Sequence, residues 1–422
     1  MHIVIVGNGV AGNSAASTIR EVNKEADIAM ISQEPFPEYS TCVLSKKYIS
    51  GEMEREKVFI KSFKDYAKEN IRTLFGQKAK RIDIGNKKVF LDSDSVGYDK
   101  LIIATGSKPM IPPIEGVGKK GIFTLKSLED ADRIHSCDGR RCVVIGAGPI
   151  GVEVSISLKK RGWEVALLEL LGWVLPRAFD EMPSLIVRKI IEDHGIEVLT
   201  GERAVKFAGN GCVHSVITDR REIECDMVIL VLGMRPEIEL SQKVGIEIGS
   251  LGGIKVNNKM MTNVEDVYAC GDCVQARDMV SGEDVLSLLW HNAKQQGDVA
   301  GYNSVGLERP YPGALNITVV DVFGTYAISF GHTMDRFKDA KLEIIEREDG
   351  QYYHRLLVAD GILVGVQFVG KPENLGPLLS VMWRRDNLDM LRKILSQEDL
   401  LSRNPWCYRV YPYLKGLNCR SN

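Results

Sequence analysis

The sequence predicts an α/β protein: two strand-turn-helix units suited to nucleotides, followed by a smaller α+β domain. Three observations predict it. Two G-x-G-x-x-G loops, Gly7 to Gly12 and Gly146 to Gly151, lie about 140 residues apart, each fed by a β-branched strand and opening a helix-like run. From Tyr311 on, the pattern changes to short alternating apolar segments. At 422 residues the chain also exceeds what one ordinary core holds, so two or three domains are expected.

Composition narrows the function classes. With 44% hydrophobic and 26% charged residues the chain reads as globular, and a formal charge of −2 without a basic run argues against nucleic acid as a partner. No apolar run is long enough to span a bilayer, and the strand that follows Met1 at once leaves no room for a signal peptide; a cytoplasmic protein is expected. Nine cysteines without a secretory signal are expected to be mostly reduced thiols.

In the first unit, residues 3–6 are the strand, Gly7, Gly9 and Gly12 the loop, and a helix runs to Arg20. This leaves bare backbone N–H groups at a helix N-terminus, where a pyrophosphate can sit. Residues 27–32 (DIAMIS) are the next strand, after which the motif expects an acid for a ribose 2′-OH. Ser32 stands there; Glu34 is the nearest substitute, and the alternative is a solvated loop acid. Residues 33–52 (QEPFPEYSTCVLSKKYISGE) make a loop with two prolines and a short helical stretch ending at Gly51. A helix over 62–70 and short strands over 71–75, 79–84 and 87–92 follow. Residues 98–105 read as a buried strand stopped by Gly106, and Pro109, Pro112 and Pro113 mark a linker.

In the second unit, residues 141–145 feed Gly146, Gly148 and Gly151, a helix runs to Lys160, and a strand over 164–168 closes on Glu169. Here the acid stands about twenty residues after the glycines, where the motif wants it. Strands over 196–199 and 227–232 belong to the same unit, the latter ending in Gly233-Met234-Arg235-Pro236, with Gly233 a candidate for cofactor contact. Residues 261–272 (MTNVEDVYACGD) are a short strand running into Gly271-Asp272. Strands over 314–322, 325–330, 342–346, 352–358 and 362–369, a helix over 378–396 and an aromatic tail make the third domain.

Taken in order, these pieces resemble the flavin-dependent pyridine nucleotide–disulfide oxidoreductase superfamily over almost the whole chain. Val6 to Gly12 is similar to its FAD pyrophosphate loop, and Ala104-Thr105-Gly106-Ser107 with the following prolines to its A-T-G-x-x-P crossover. Gly146 to Gly151 resembles its NAD(P)H loop, and Val267 to Asp272 its second FAD motif, whose aspartate binds the ribityl chain. The resemblance implies a split FAD domain over 1–112 and 244–308, an inserted NAD(H) domain over 113–243, both Rossmann-like, and an interface domain over 309–422 through which such proteins commonly dimerise. His291 would start a helix whose positive end faces the flavin pyrimidine. Glu169 favours NADH over NADPH, because a carboxylate accepts from ribose hydroxyls and repels a 2′-phosphate, and Leu170 and Leu171 supply no offsetting arginine.

Two branches of that superfamily put different chemistry at Tyr39-Ser40-Thr41-Cys42-Val43-Leu44-Ser45-Lys46. In the coenzyme A-disulfide reductase and NADH oxidase branch, a single loop cysteine cycles through a mixed disulfide or sulfenic acid, and Cys42 falls at about that position. In the branch resembling rubredoxin and ferredoxin reductases, the loop reads Y-S-x-P-x-L-S-K without a redox cysteine. This chain matches the second spacing better, with Cys42 where a proline usually stands. Lys46 then corresponds to a lysine near flavin N5, held by a glutamate on the helix after the NADH loop, and Glu153 occupies that glutamate's position. The plainer alternatives are a small apolar Cys42 packing under the flavin ring and ordinary surface charges at Lys46 and Glu153.

The C-x-x-C spacing of Cys270 and Cys273 lacks the second pair a tetrahedral metal needs, so no metal is expected. Cys407 and Cys419 lie in the aromatic tail, which docks on the core or meets a partner. The implied activity is hydride transfer between NADH and FAD, with electrons passed to a redox protein, a disulfide or another acceptor. The rivals are a flavin subunit of an iron–sulfur complex and a non-enzymatic redox sensor.

Overall fold

The structure is a computed structural model that describes residues 1–337, 340–348, 352–372 and 375–387. These gather into two compact units. The first is Met1–Gly146 with Ser157–Val165 and Ala204–Ala314; the second is Ala147–Ile156 and Ala166–Arg203 with the described residues from Leu315 on. In chain order the α-helices are α1 (Val10–Val22), α2 (Phe63–Lys68), α3 (Leu128–His135), α4 (Pro149–Lys160), α5 (Glu181–Asp193), α6 (Glu239–Gln242), α7 (Trp290–Ser304) and α8 (Leu375–Arg384).

The first unit is built on a five-stranded parallel sheet. β1 (His2–Val6) is its centre, flanked by β2 (Asp27–Ser32) and by the strand Lys100–Ile103; β3 (Ile71–Phe75) and Val267–Ala269 complete the two edges. Ile3, Val4, Ile5, Ile28, Leu101, Ile102 and Ile103 are all fully buried. Strands covered on both faces read as continuous β-branched runs, and that is how these stand in the sequence. α1 packs on α7 at backbone distance: a Cβ added to Gly297 would lie 2.2 Å from Ala11 O. In the same unit Arg141–Ile145 pairs in parallel with Met227–Leu230, which pairs with Ile122–Thr124.

In the second unit, residues 166–169 pair in parallel with Glu197–Thr200. An antiparallel sheet runs in the order Ile317–Val322, Thr325–Gly331, Ile362–Gly370, Tyr353–Ala359, Leu342–Glu348. Asp180, the residue before α5, joins helix and sheet. Its backbone N–H donates to Gln367 Oε1 at 2.8 Å, its Oδ2 accepts from Gln367 Nε2 at 2.8 Å, and Arg355 Nε lies 3.5 Å away.

The five C-terminal strands fall where alternation places them, with the first starting three residues later, at Ile317. The helix expected over 62–70 contracts to α2, fixed by a Ser62–Asp65 capping box. The helix expected over 378–396 starts three residues earlier as α8 and stops at Arg384, because Arg385 turns to φ +56° and Asn387 bridges to Ile362; residues 388–396 lie outside the described residues, as do Cys407 and Cys419. α3 and α5 have no counterpart in the sequence reading. Among the described residues no helix is long and apolar enough to cross a membrane.

Candidate active site

The carboxyl ends of β1, β2, Lys100–Ile103 and Val267–Ala269 meet at one edge of the first sheet, where open parallel sheets bind ligands. β1 delivers the first glycine loop there. Gly7 has φ +123°, and a Cβ on it would lie 2.0 Å from Ala104 O; a Cβ on Gly12 would lie 2.1 Å from Gly7 O. Only glycine fits at either position, because loop, strand end and first helical turn are in backbone contact. A Cβ on Gly9 meets nothing within 4 Å, so that position borders open space over the start of α1. α1 carries no side-chain cap and no acid in its first turn. Uncapped N–H groups beside an open surface fit an anion such as the diphosphate of FAD.

A polar cluster supports the loop from behind. Asn13 Nδ2 donates to Asn8 O and Asn8 Oδ1, both at 2.9 Å, and the Tyr66 hydroxyl lies 2.7 Å from Asn13 Oδ1 and 2.9 Å from Asn8 Oδ1. Asn13 is buried within α1, so its amide spends its bonds on the loop rather than on solvent.

The two other motifs arrive at the same edge. Ala104 N donates to Val6 O at 2.8 Å, and Thr105 Oγ1 to Glu237 O at 2.7 Å. Ser107 Oγ donates to Asp272 Oδ2 at 2.8 Å, and Lys126 Nζ lies 3.4 Å from that oxygen. Gly271 N donates to Gln296 Oε1 of α7 at 2.8 Å, and half-buried His291 stands in the uncapped first turn of α7. Half-buried Glu34 accepts from the Tyr39 hydroxyl at 2.6 Å; burial raises its carboxyl above the usual range against that hydrogen bond. Burial also lifts the thiols of Cys270 and Cys273, the latter to about 11. Both are packed thiols, with Cys273 Sγ donating to Cys270 O at 3.2 Å.

Residues 39–48 carry the redox candidates of the sequence reading, Cys42 and Lys46, and lie in the first unit. Cys42 is exposed and Lys46 half-buried. Leu44–Tyr48 is a single π turn rather than an ordinary helical one, closed by Ile49 N donating to Leu44 O at 3.0 Å. The Ser157 hydroxyl, fully buried, donates to Ser45 O at 2.5 Å and lies 3.2 Å from Lys46 O.

The second glycine loop repeats the logic of the first. Gly146, in the first unit, has φ +105°, and a Cβ on it would lie 2.5 Å from Val231 O. Gly148 borders open space, and Gly151 lies in α4, which has no acid in its first turn. Within the second unit Glu169 is buried, its Oε2 accepting from Ala147 N at 2.7 Å and its Oε1 from Leu171 N at 2.9 Å. Each carboxylate oxygen keeps a lone pair for a ribose hydroxyl. Glu153 is buried in α4, and Gly233, in the first unit, accepts from Met110 N at 3.0 Å. Among the described residues no group of three His, Cys, Asp or Glu side chains could hold a metal ion.

Lys126, Asn13 and Tyr66 escaped the sequence reading. Only Lys126 carried a usable signal: it precedes Ser127-Leu128-Glu129-Asp130, a capping box that announces a helix start.

The family model described as Pyridine nucleotide-disulphide oxidoreductase matches residues 1–297. The chain is 33% identical to the NADH oxidase of Methanocaldococcus jannaschii, over 97% of this chain and 94% of that protein. It is 28% identical to the NADH-dependent phenylglyoxylate dehydrogenase subunit epsilon of Aromatoleum evansii, over 92% and 93%. Among solved structures it resembles a NAD-dependent persulfide reductase from A. fulgidus, with a TM-score of 0.88 and 30% identity over 93% of this chain and 78% of that one.

Proposed function

Because this chain belongs to the pyridine nucleotide-disulphide oxidoreductase family, we propose that it binds FAD at the first glycine loop and NADH at the second, and passes electrons from NADH to an acceptor. The observation that carries the reading is the meeting of Gly7 to Gly12, Ala104 to Ser107 and Gly271-Asp272 at one sheet edge, over an uncapped helix. When bound, FAD supplies a two-electron acceptor for hydride. The protein's part is to hold and polarise: α1 sets positive charge at the diphosphate end, Lys126 stands beside Asp272, the aspartate assigned to the ribityl chain, and His291 lies in the first turn of the helix assigned to the flavin pyrimidine. Lys46 supplies positive charge for the hydride step, and Glu153 is the buried carboxylate on the helix after the second loop. The same reading takes 1–112 with 244–308 as the FAD domain, 113–243 as the NAD(H) domain and 309–422 as an interface domain.

The exposure of Cys42 favours a covalent role over one as a packed apolar residue. A disulfide between Cys42 and a small thiol takes two electrons and two protons and yields two thiols. An anaerobic NADH titration of wild type and Cys42→Ser tests this. Wild type loaded with the mixed disulfide is expected to take up two electrons more per FAD than the variant. Equal uptake removes Cys42 from the mechanism and favours the reading with Lys46 beside the flavin and electrons leaving to a redox protein; a flavin that NADH fails to bleach removes the whole reading.

Glu169→Gln is expected to lower the NADH-over-NADPH ratio of kcat/KM about tenfold, by exchanging charge-assisted acceptance for a neutral one. An unchanged ratio would place cofactor choice elsewhere. The Aromatoleum evansii relative is named as a subunit, which favours a second reading, a flavin subunit of a larger complex. Iron-bearing partners retained with the chain through gel filtration would support it.

A further inference from the structure

We infer that α3 is a splint for the segment that carries Cys42 and Lys46, and that Asp132 is its principal positioning residue. The inference rests on the assignment of that segment to the redox site. Two tyrosines bracket the segment, and both hydroxyls engage α3. At its start, Tyr39 OH accepts from Leu128 N, the first residue of α3, at 3.2 Å while donating to Glu34. At its end, Tyr48 OH donates to Asp132 Oδ1 at 2.5 Å, one turn further along the same helix.

Asp132 also anchors the chain downstream of the π turn. Arg55 Nε lies 3.1 Å from both of its oxygens and Nη2 3.0 Å from Oδ2, a forked pair on the carboxylate that Tyr48 already engages. The Arg55 guanidinium in turn sits 5.2 Å from the ring of Phe36, ahead of the segment. Burial alone would raise the Asp132 carboxyl, but the bonds from Arg55 and Tyr48 outweigh it and hold the group below the usual range. The next turn of α3 adds a stack: the His135 ring lies 5.1 Å from that of Tyr48 at 14°, with His135 Nδ1 3.1 Å from Tyr48 O.

The π turn explains why a splint is needed. Widening one turn releases carbonyls that a regular helix would satisfy internally, so the turn keeps its shape only where outside groups replace those bonds. Ser157 takes Ser45 O and Lys46 O, and Arg161 Nη1 lies 3.3 Å from Ile49 O while its Nη2 donates to His135 O at 2.9 Å. Those contacts hold the backbone of Lys46 and of Ile49, and Asp132, through Tyr48 and Arg55, holds the chain that follows. A cation assigned to a developing charge loses its effect when displaced by about 1 Å, so the splint sets reactivity without touching the reacting atoms.

The test compares FAD-loaded wild type, Asp132→Ala, the milder Tyr48→Phe, and Asp226→Ala. Asp226 accepts from Arg140 N at 2.8 Å and Arg141 N at 2.9 Å at the amino end of its strand, and controls for loss of a structural carboxylate. Asp132→Ala is expected to slow flavin bleaching by NADH about tenfold or more, to shift the flavin midpoint potential and visible spectrum, and to retain FAD. Tryptic cleavage after Lys46 or Lys47 should rise about tenfold in the same variant. Tyr48→Phe should move each readout in the same direction by less, and Asp226→Ala should lower Tm alone. Unchanged bleaching, potential and cleavage in both Asp132→Ala and Tyr48→Phe overturns the inference. So does faster cleavage with wild-type bleaching, since the splint would then be structural only. A wild-type flavin that NADH does not bleach overturns instead the parent assignment, which separates the two failures.

Discussion

Gly12→Ala is expected to leave the protein without FAD. The residue lies in the first turn of α1, where alanine is the best helix former, so propensity alone predicts a gain of about 1 kcal/mol. Contact decides otherwise. The new methyl would lie 2.1 Å from Gly7 O, 3.1 Å from Gly7 C and 3.4 Å from Ile5 Cγ2. A backbone carbonyl cannot rotate aside as a side chain can, so α1 must move off the loop whose N–H groups it presents. The overlap costs at least about 3 kcal/mol, and it displaces the anion site itself. Gly9→Ala separates the two effects: with nothing within 4 Å of its Cβ, it should fold normally and lose FAD only through intrusion into the open space. The flavin-to-protein absorbance ratio after gel filtration, with Tm of the apoproteins, reads both. Full FAD content in Gly12→Ala would show that the first loop is not the cradle.

Stability should fall as pH rises from about 4.5 to about 7, and Glu38 should be responsible for much of it. Glu38 is 8% exposed on the loop ahead of Cys42, its backbone N–H donating to the Tyr66 hydroxyl at 3.2 Å. Burial lifts its carboxyl from 4.5 to about 7; Glu69 adds to this, and Lys61 and Lys294 oppose it. The folded state therefore holds this proton more tightly than the unfolded chain. The resulting stabilisation is complete below about 4.5 and lost by about 7, with a total of the order of 3 kcal/mol. Glu38→Gln keeps the shape and removes the charge. Urea melts of wild type and variant should diverge as pH rises through that window, with the variant the more stable at pH above about 7. A stability difference that does not change with pH would rule out a buried neutral acid at Glu38.

Much of the site was legible because its signals are local. A glycine loop between a β-branched strand and a helix is contiguous, and so are the runs that became β1, β2 and Lys100–Ile103. The C-terminal strands were legible because short apolar runs are set off by turn residues, and in two of them one face is apolar throughout: Tyr326, Ile328 and Phe330 in one, Ile362, Val364, Val366 and Phe368 in the other. α3 escaped because it has only eight residues and comes after a proline-marked linker, although Ser127-Leu128-Glu129-Asp130 spells its start. The π turn escaped because Leu44-Ser45-Lys46-Lys47-Tyr48 has no propensity that tells it from an ordinary helical turn; outside partners define it.

The sequence by itself determined that the chain carries two strand-fed glycine loops, that an acid stands about twenty residues after the second, and that Cys42 and Lys46 fall within the eight residues 39–46. Each of these is a pattern along the chain, written in the spacing of residues that bond or turn locally. Only the tertiary structure decided that Lys126 and Ser107 meet Asp272, that Tyr66 and Asn13 brace the first loop, and that Asp132 grips Tyr48 across 84 positions. Those pairings depend on sheet order and on a helix laid across a loop. Neither leaves a period in the sequence, because a hydrogen bond between distant residues constrains the geometry of both and the spacing of neither.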